Sequence, residues 1–199
     1  YNVWFGTTKI AFVNFQTITM GGIAKANDNS FIKLQEVPVE ELDRLSGFDM
    51  VFVNGMGLRV VEEQRQQIQK AADKGVLVYT TMATNPANNI CTIDSVDQVA
   101  LRGYLGSGGR RNYKNMLNYI RKNMDKKLIS VEEPGVPIER SSDVLYHVDV
   151  DKPGDELDFV SVEEYEKYLK SKQLYKEGAK KIVVTGQMAD ATGLIDTLE

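Results

Sequence analysis

Apolar and polar positions follow two periods along the first half of the chain. Three short runs rich in β-branched and aromatic residues predict buried strands. They are Lys9-Ile10-Ala11-Phe12-Val13-Asn14-Phe15, Asp49-Met50-Val51-Phe52-Val53-Asn54 and Val76-Leu77-Val78-Tyr79-Thr80-Thr81. Phe31 to Val37 is a weaker run, suited to an edge strand. Between the runs the period lengthens. Pro38 opens a short helix through Glu40, Glu41, Leu42 and Leu45, stopped by Ser46-Gly47. Val60 to Lys74 is a longer helix, with Val60, Val61, Ile68, Ala71 and Ala72 set among glutamines and charges and Gly75 at its C′ position. Strand, helix, glycine and strand in that order spell a βαβ unit, so the fold class is α/β: a Rossmann- or flavodoxin-like parallel sheet flanked by helices. Thr17 to Gly22 and Gly55-Met56-Gly57 then read as loops at the carboxyl ends of strands, the ligand side of such sheets.

After Thr81 the pattern turns helical. Asn85-Pro86-Ala87-Asn88-Asn89 is a polar turn. Asp94 or Ser95 caps a helix to about Leu105, and Gly106-Ser107-Gly108-Gly109 separates it from a second helix, Arg110 to about Met124. Pro134 to Pro153 holds three of the five prolines and predicts an extended stretch, with a strand at Val144-Leu145-Tyr146-His147. Ser161-Val162-Glu163-Glu164 has the form of a capping box and starts a helix to about Lys172. Lys181 to Gly186 and Ala189 to Glu199 read as a further strand and helix, the start of a second α/β unit. The expected organisation is an N-terminal α/β domain over 1–130, an extended acidic connection over 131–160, and the beginning of a second α/β domain over 161–199.

Composition narrows the function. The hydrophobic fraction is 42% and the net charge -4, so the chain can bury a core and its bulk charge gives no sign of nucleic-acid binding. No apolar run is long enough to span a bilayer. The aromatic start Tyr1-Asn2-Val3-Trp4-Phe5 suits a membrane interface, so localisation is open between cytoplasm and an anchor through a removed N-terminal segment. One cysteine, Cys91, excludes an internal disulfide framework, and one histidine, His147, excludes two-histidine mechanisms. The modest net charge hides an asymmetry. Residues 102–127 carry eight Lys or Arg and one Asp; residues 132–166 carry twelve Asp or Glu and two Lys or Arg. These are either solvated faces that neutralise each other, or a basic rim for an anionic, propionate-bearing ligand, or a docking face.

Several motifs bear on chemistry. Gly103 to Gly109 leads into a helix N-terminus, but it follows a helix and fits neither nucleotide fingerprint, so a turn between helices is the better reading. Asn54, Gly55 and Gly57 end a strand and are candidate ligand contacts, or turn formers. Cys91 does not sit on a strand-to-helix elbow, which argues against a nucleophile and against an amidotransferase. His147, near Asp149 and Asp151, is a metal or axial ligand or a packed structural residue. No residue stands out as catalytic.

Three stretches together resemble a known family. One is the strand, glycine turn, helix, Lys-Gly and strand of Asp49 to Thr80. Another is Tyr104-Leu105-Gly106-Ser107-Gly108-Gly109-Arg110-Arg111-Asn112-Tyr113-Lys114-Asn115-Met116-Leu117-Asn118-Tyr119-Ile120. The last is Leu145-Tyr146-His147-Val148-Asp149, followed by Phe159 to Tyr168. The chain resembles the N-terminal part of cobaltochelatase large subunits, relatives of the magnesium chelatase large subunit. Val148 stands where the family has proline. The resemblance implies a portion of a much longer polypeptide that binds a tetrapyrrole for insertion or removal of cobalt, magnesium or haem iron. ATP would be used by partner ATPase subunits, and a haem-uptake relative would suit an anchored N-terminus. It carries no catalytic residue onto this chain, so the portion alone is expected to be inactive. Arg110, Arg111 and Lys114 are the expected cations for the tetrapyrrole carboxylates. The alternative is a non-catalytic scaffold that docks later domains or ATPase subunits.

Overall fold

A computed structural model describes residues 5–139, 145–152 and 156–180. The expected strand Lys181–Gly186 and helix Ala189–Glu199, and Tyr1 to Trp4, lie outside the described residues. A four-stranded parallel sheet organises the first part of the chain. Its strands are β1 (Thr8–Val13), β2 (Ile32–Glu36), β3 (Met50–Asn54) and β4 (Leu77–Thr81), in the spatial order β2-β1-β3-β4. The weaker run is indeed an edge strand, and all four predicted strands fall within two residues of their expected limits.

Strand alternation divides the core in two. Ile10, Phe12, Met50, Phe52 and Tyr79 face one side, where they meet Ile23 and Ala26 of α1 (Thr17–Ala26). Leu101 and Tyr104 of α3 (Ser95–Ser107) and Tyr113, Met116 and Leu117 of α4 (Arg110–Tyr119) complete that layer. Ala11, Val13, Val51, Val53 and Val78 face the other side, against Leu42 and Leu45 of a 3₁₀ segment (Val39–Gly47) and Ile68, Ala71 and Ala72 of α2 (Glu62–Asp73). On the first side, Phe12 stacks on Phe52 at 5.2 Å between ring centroids, and Phe15 and Tyr79 meet them edge-on. This is the α/β sandwich that the two-period pattern predicts.

One expectation is corrected. Thr17 to Gly22 is not a ligand loop but the first half of α1. Its threonines and paired glycines are weak helix formers, and packing of Ile23 and Ala26 against the sheet overrides them. The end of α2 follows the expected glycine stop. Gly75 sits at φ 91°, its N–H bonds the Ala72 carbonyl at 2.9 Å, and Val76 N–H bonds the Ala71 carbonyl. Beyond β4, Cys91 forms an antiparallel bridge to Tyr79 and Thr92 N–H bonds the Val78 carbonyl, so residues 91–92 cover an exposed sheet edge.

The helix predicted from Arg110 to Met124 is α4 followed by a π-helical turn, Ile120–Met124. Further on, β5 (Leu145–Val148) and β6 (Glu156–Phe159) pair as an antiparallel hairpin. α5 (Val162–Ser171) follows, capped by Ser161, whose Oγ accepts from Glu164 N–H at 3.1 Å.

Candidate functional site

The carboxyl edge of the sheet holds Asn54, Gly55 and Gly57. Asn14, just beyond β1 and in the left-handed backbone region at φ 61°, donates from Nδ2 to the carbonyls of Asn54 (2.8 Å) and Met56 (3.1 Å). Gly55 N–H bonds the Thr81 carbonyl at 2.7 Å, and a Cβ on Gly55 would lie 2.5 Å from Ala83 Cα. Gly55 therefore exists to let two loops touch. Gly57 sits at φ 66° with open space around it, so its requirement is conformational.

The basic residues of α4 do not form one cluster. Arg110 is exposed and Arg111 half-buried. Lys114 lies between Asp28 (2.8 Å) and Glu132 (2.9 Å), and about two helical turns on, Lys122 pairs with Glu133. Those hydrogen bonds hold the Lys114 ammonium above its ordinary pKa. The start of the acidic stretch thus neutralises part of the basic one. An open hollow of about 380 Å³ lies below, lined by Asp28, Asn29, Ser30, Asn118, Ser130, Val131 and Glu132. A second, of about 370 Å³, lies beside β2 among Lys9, Lys33 and Arg44. Neither is lined by Arg110, Arg111, Asn54, Gly55, Gly57 or His147.

The glycine- and asparagine-rich signature of α3 and α4 has a structural use. Asn112, buried, donates from Nδ2 to the Ile138 carbonyl (2.8 Å) and accepts at Oδ1 from Ile138 N–H (2.9 Å), as a neighbouring strand would. The same Nδ2 also bonds the Gly108 carbonyl. Tyr104 Oη donates to the Gly135 carbonyl at 2.6 Å, and Asn115 Oδ1 accepts from Gly135 N–H. A Cβ on Gly103 would lie 2.7 Å from Pro137 Cβ. Residues 135–138 are therefore a strap fastened across the α3–α4 pair. Asn112→Ala should cost about 2 kcal/mol, since it orphans the Ile138 carbonyl and N–H. Hydrogen exchange at residues 135–138 should rise at least tenfold; unchanged protection there would refute the fastening.

The alkaline limb of stability is also set here. Burial, together with the bond that Tyr119 donates to Asp97 (2.7 Å), pushes the Tyr119 hydroxyl far up, and burial raises Tyr104. With Lys114 that makes three raised groups on α3 and α4. Each contributes stability that is complete below its ordinary pKa, near 10, and is lost as pH rises through the folded value. Stability should be flat to about pH 10 and fall above it. In a 295 nm titration Tyr104 and Tyr119 should ionise late, and the late component should shrink in Tyr119→Phe.

Sequence reasoning missed the most connected polar residue. Arg121 is fully buried beneath the amino edge of the sheet. Its Nη1 donates to the Gly6 carbonyl (2.8 Å), Thr8 Oγ1 (3.0 Å) and the Phe31 carbonyl (3.4 Å). Nε and Nη2 share the Ile129 carbonyl, and the guanidinium lies over the Phe31 ring at 5.2 Å. Thr8 Oγ1 passes the link on to Asp125 at 2.6 Å, and Lys127 pairs with Asp125 and, at 3.5 Å, with Asp49. A signal existed: Arg121 stands four residues after Leu117 and three before Met124, within the apolar stripe of its helix.

His147 is buried in the hairpin unit. Its ring lies 5.6 Å from both Tyr165 and Tyr168, which also flank Phe159. Among the described residues no group of three or more His, Cys, Asp or Glu is placed to hold a metal ion.

This architecture defines an α/β protein with a Rossmann-like parallel sheet. No protein-family model matches the chain, and no curated protein matches it. Among solved structures, its fold is similar to that of the catalytic subunit of cobaltochelatase from Mycobacterium tuberculosis. The TM-score is 0.50 and the sequence identity 13%, over 73% of this chain and 12% of that one. The chain thus spans about an eighth of the length of the protein it resembles in fold.

Proposed function

We propose that the chain is the N-terminal α/β portion of a chelatase-type large subunit, and that within it this portion is a scaffold. The complete polypeptide would bind a tetrapyrrole for metal insertion or removal, with ATP-hydrolysing partner subunits. The observation that carries the reading is the shared fold over 73% of the chain with a cobaltochelatase catalytic subunit. The scaffold role is supported by the site itself. Lys114 is taken by Asp28 and Glu132, Gly55 is closed against Ala83, and Asn112 and Tyr104 hold the strap.

Exposed Arg110 favours a second reading, in which it and Arg111 meet the tetrapyrrole carboxylates. Titration with haem and with protoporphyrin separates the two. The scaffold reading expects no Soret shift with the 199-residue chain at about 10 μM ligand, a concentration that fills a site of micromolar Kd. A shift abolished in Arg110→Ala/Arg111→Ala would establish the second reading instead. The full-length polypeptide should bind tetrapyrrole; failure to do so would sink the chelatase assignment altogether.

A further inference from the structure

Lys9 of β1 and Lys33 of β2 are register partners on adjacent parallel strands, and both are exposed. Neighbouring strands lie about 4.8 Å apart, so the two side chains leave one face of the sheet side by side. Like charges placed opposite each other in a sheet cost stability. A lysine on an edge strand wards off other chains, which accounts for Lys33. It does not account for Lys9, the only exposed side chain of β1, because β1 is an inner strand between β2 and β3. Ala11 and Val13 share the Lys9 face of β1 and are covered by the 3₁₀ segment and α2, but that core layer takes no side chain from β2. The strip over Lys9, Lys33 and Gln35 is thus left open. It floors the hollow of about 370 Å³, which Arg44, Gly47 and Phe48 close on the far side. Among the described residues neither lysine has an acidic partner. Arg44 pairs with Glu41; Asp49, whose Oδ2 accepts the Lys9 backbone N–H at 2.7 Å, is matched by Lys127 at 3.5 Å. Three cations against the Glu41 carboxylate leave two positive charges over the hollow.

We propose that this hollow binds the phosphate group of a small phosphate monoester. Such a group carries about 1.5 to 2 negative charges at pH 7 and three strong acceptor oxygens. The two uncompensated charges of the hollow match that charge. Lys9 and Lys33 offer ammonium donors from the sheet, and Arg44 offers a planar fork from the 3₁₀ segment. A carboxylate brings a single charge and two oxygens, and leaves one lysine unanswered. The volume falls within the roughly 300–1,000 Å³ of small-molecule sites, so the organic part of the ester also has room, with Phe48 as the aromatic side chain beside it. The bound dianion removes the repulsion between Lys9 and Lys33, which gives their register pairing a use. Lys114 and Lys122 of α4 make no comparable site, because acidic residues of the chain already neutralise them. The site belongs to this chain alone and does not depend on the chelatase reading.

The test titrates the 199-residue protein with phenyl phosphate at constant ionic strength, read by backbone amide shifts. The expected result is saturable binding with a Kd below about 1 mM, with the largest shifts at Lys9, Lys33, Gln35 and Gly47. Benzoate, which keeps the ring and exchanges phosphate for carboxylate, should bind roughly tenfold more weakly. Lys9→Gln and Lys33→Gln should each raise the phenyl phosphate Kd by roughly tenfold, and Lys33→Arg should restore most of the affinity. Lys25→Gln, at an exposed lysine of α1, should leave it unchanged. Lysines 9, 25 and 33 are all exposed, so the variants keep the fold, and the unbound amide spectra verify that. No saturation by about 10 mM phenyl phosphate, equal affinity for benzoate, or equal weakening in Lys25→Gln would each overturn the proposal. The Soret titration of the chelatase reading is a separate measurement, and neither result decides the other.

Discussion

Arg121→Ala should cost on the order of 5 kcal/mol, a large part of the 5–15 kcal/mol typical of a folded domain. The substitution removes the donors of the Gly6 and Ile129 carbonyls and one partner of Thr8 Oγ1, while the Phe31 carbonyl keeps the Thr8 N–H at 2.8 Å. Each orphaned acceptor costs roughly 1–3 kcal/mol, and the emptied volume under the sheet adds a cavity term. Asp125 and Asp49 also lose a compensating charge, an effect offset in part by relief of the burial that holds the Arg121 pKa below its ordinary value. The urea midpoint should drop by roughly 2–3 M at a slope of about 2 kcal/mol/M. Arg121→Lys should recover about half of the loss, since an ammonium keeps the charge but not the planar fork that reaches acceptors on both sides. A loss below about 1 kcal/mol in Arg121→Ala would mean that water takes over these acceptors, and the network would lose its structural standing.

Gly55→Ala should be the second most damaging change, at about 3 kcal/mol. The added Cβ meets backbone, not a yielding side chain: Ala83 Cα at 2.5 Å and Ala83 N at 2.9 Å. Relief requires the loops after β3 and β4 to part, which strains the 2.7 Å bond from Gly55 N–H to the Thr81 carbonyl. Gly57→Ala is the matched control. No atom crowds it, so only the positive φ counts, and about 1 kcal/mol should be lost. Equal losses at the two positions, measured by urea unfolding, would refute the close-approach argument. Both glycines are candidate ligand contacts by sequence, and these losses assign Gly55 a stability role that needs no ligand.

The sheet was legible in the sequence because each strand is a contiguous apolar run and Gly75 stops α2 where the pattern expects. Helix α1 was not, because its first six residues have loop-like composition and only contact with the sheet makes them helical. The same distinction governs the site. Pro134 and Pro137 announce an extended segment, yet its docking depends on Gly103, Tyr104 and Asn112, some thirty residues earlier. The run of positive charge was visible, but a count treats Arg110 and Arg121 alike. One is exposed and the other fully buried, and only the position of Arg121 in the apolar stripe distinguishes them.

The bond from Arg121 to the Gly6 carbonyl joins residues 115 positions apart. During synthesis at about 5–20 residues per second, the start of β1 waits roughly 6–23 s for this guanidinium to be made. Over that interval the amino edge of the sheet has no closing group, and the residues around Gly6 and Thr8 are open to other partners. The segment around Gly6 and Thr8 is therefore the one exposed longest to mispairing, and the π-helical turn that delivers Arg121 marks the moment when that exposure ends.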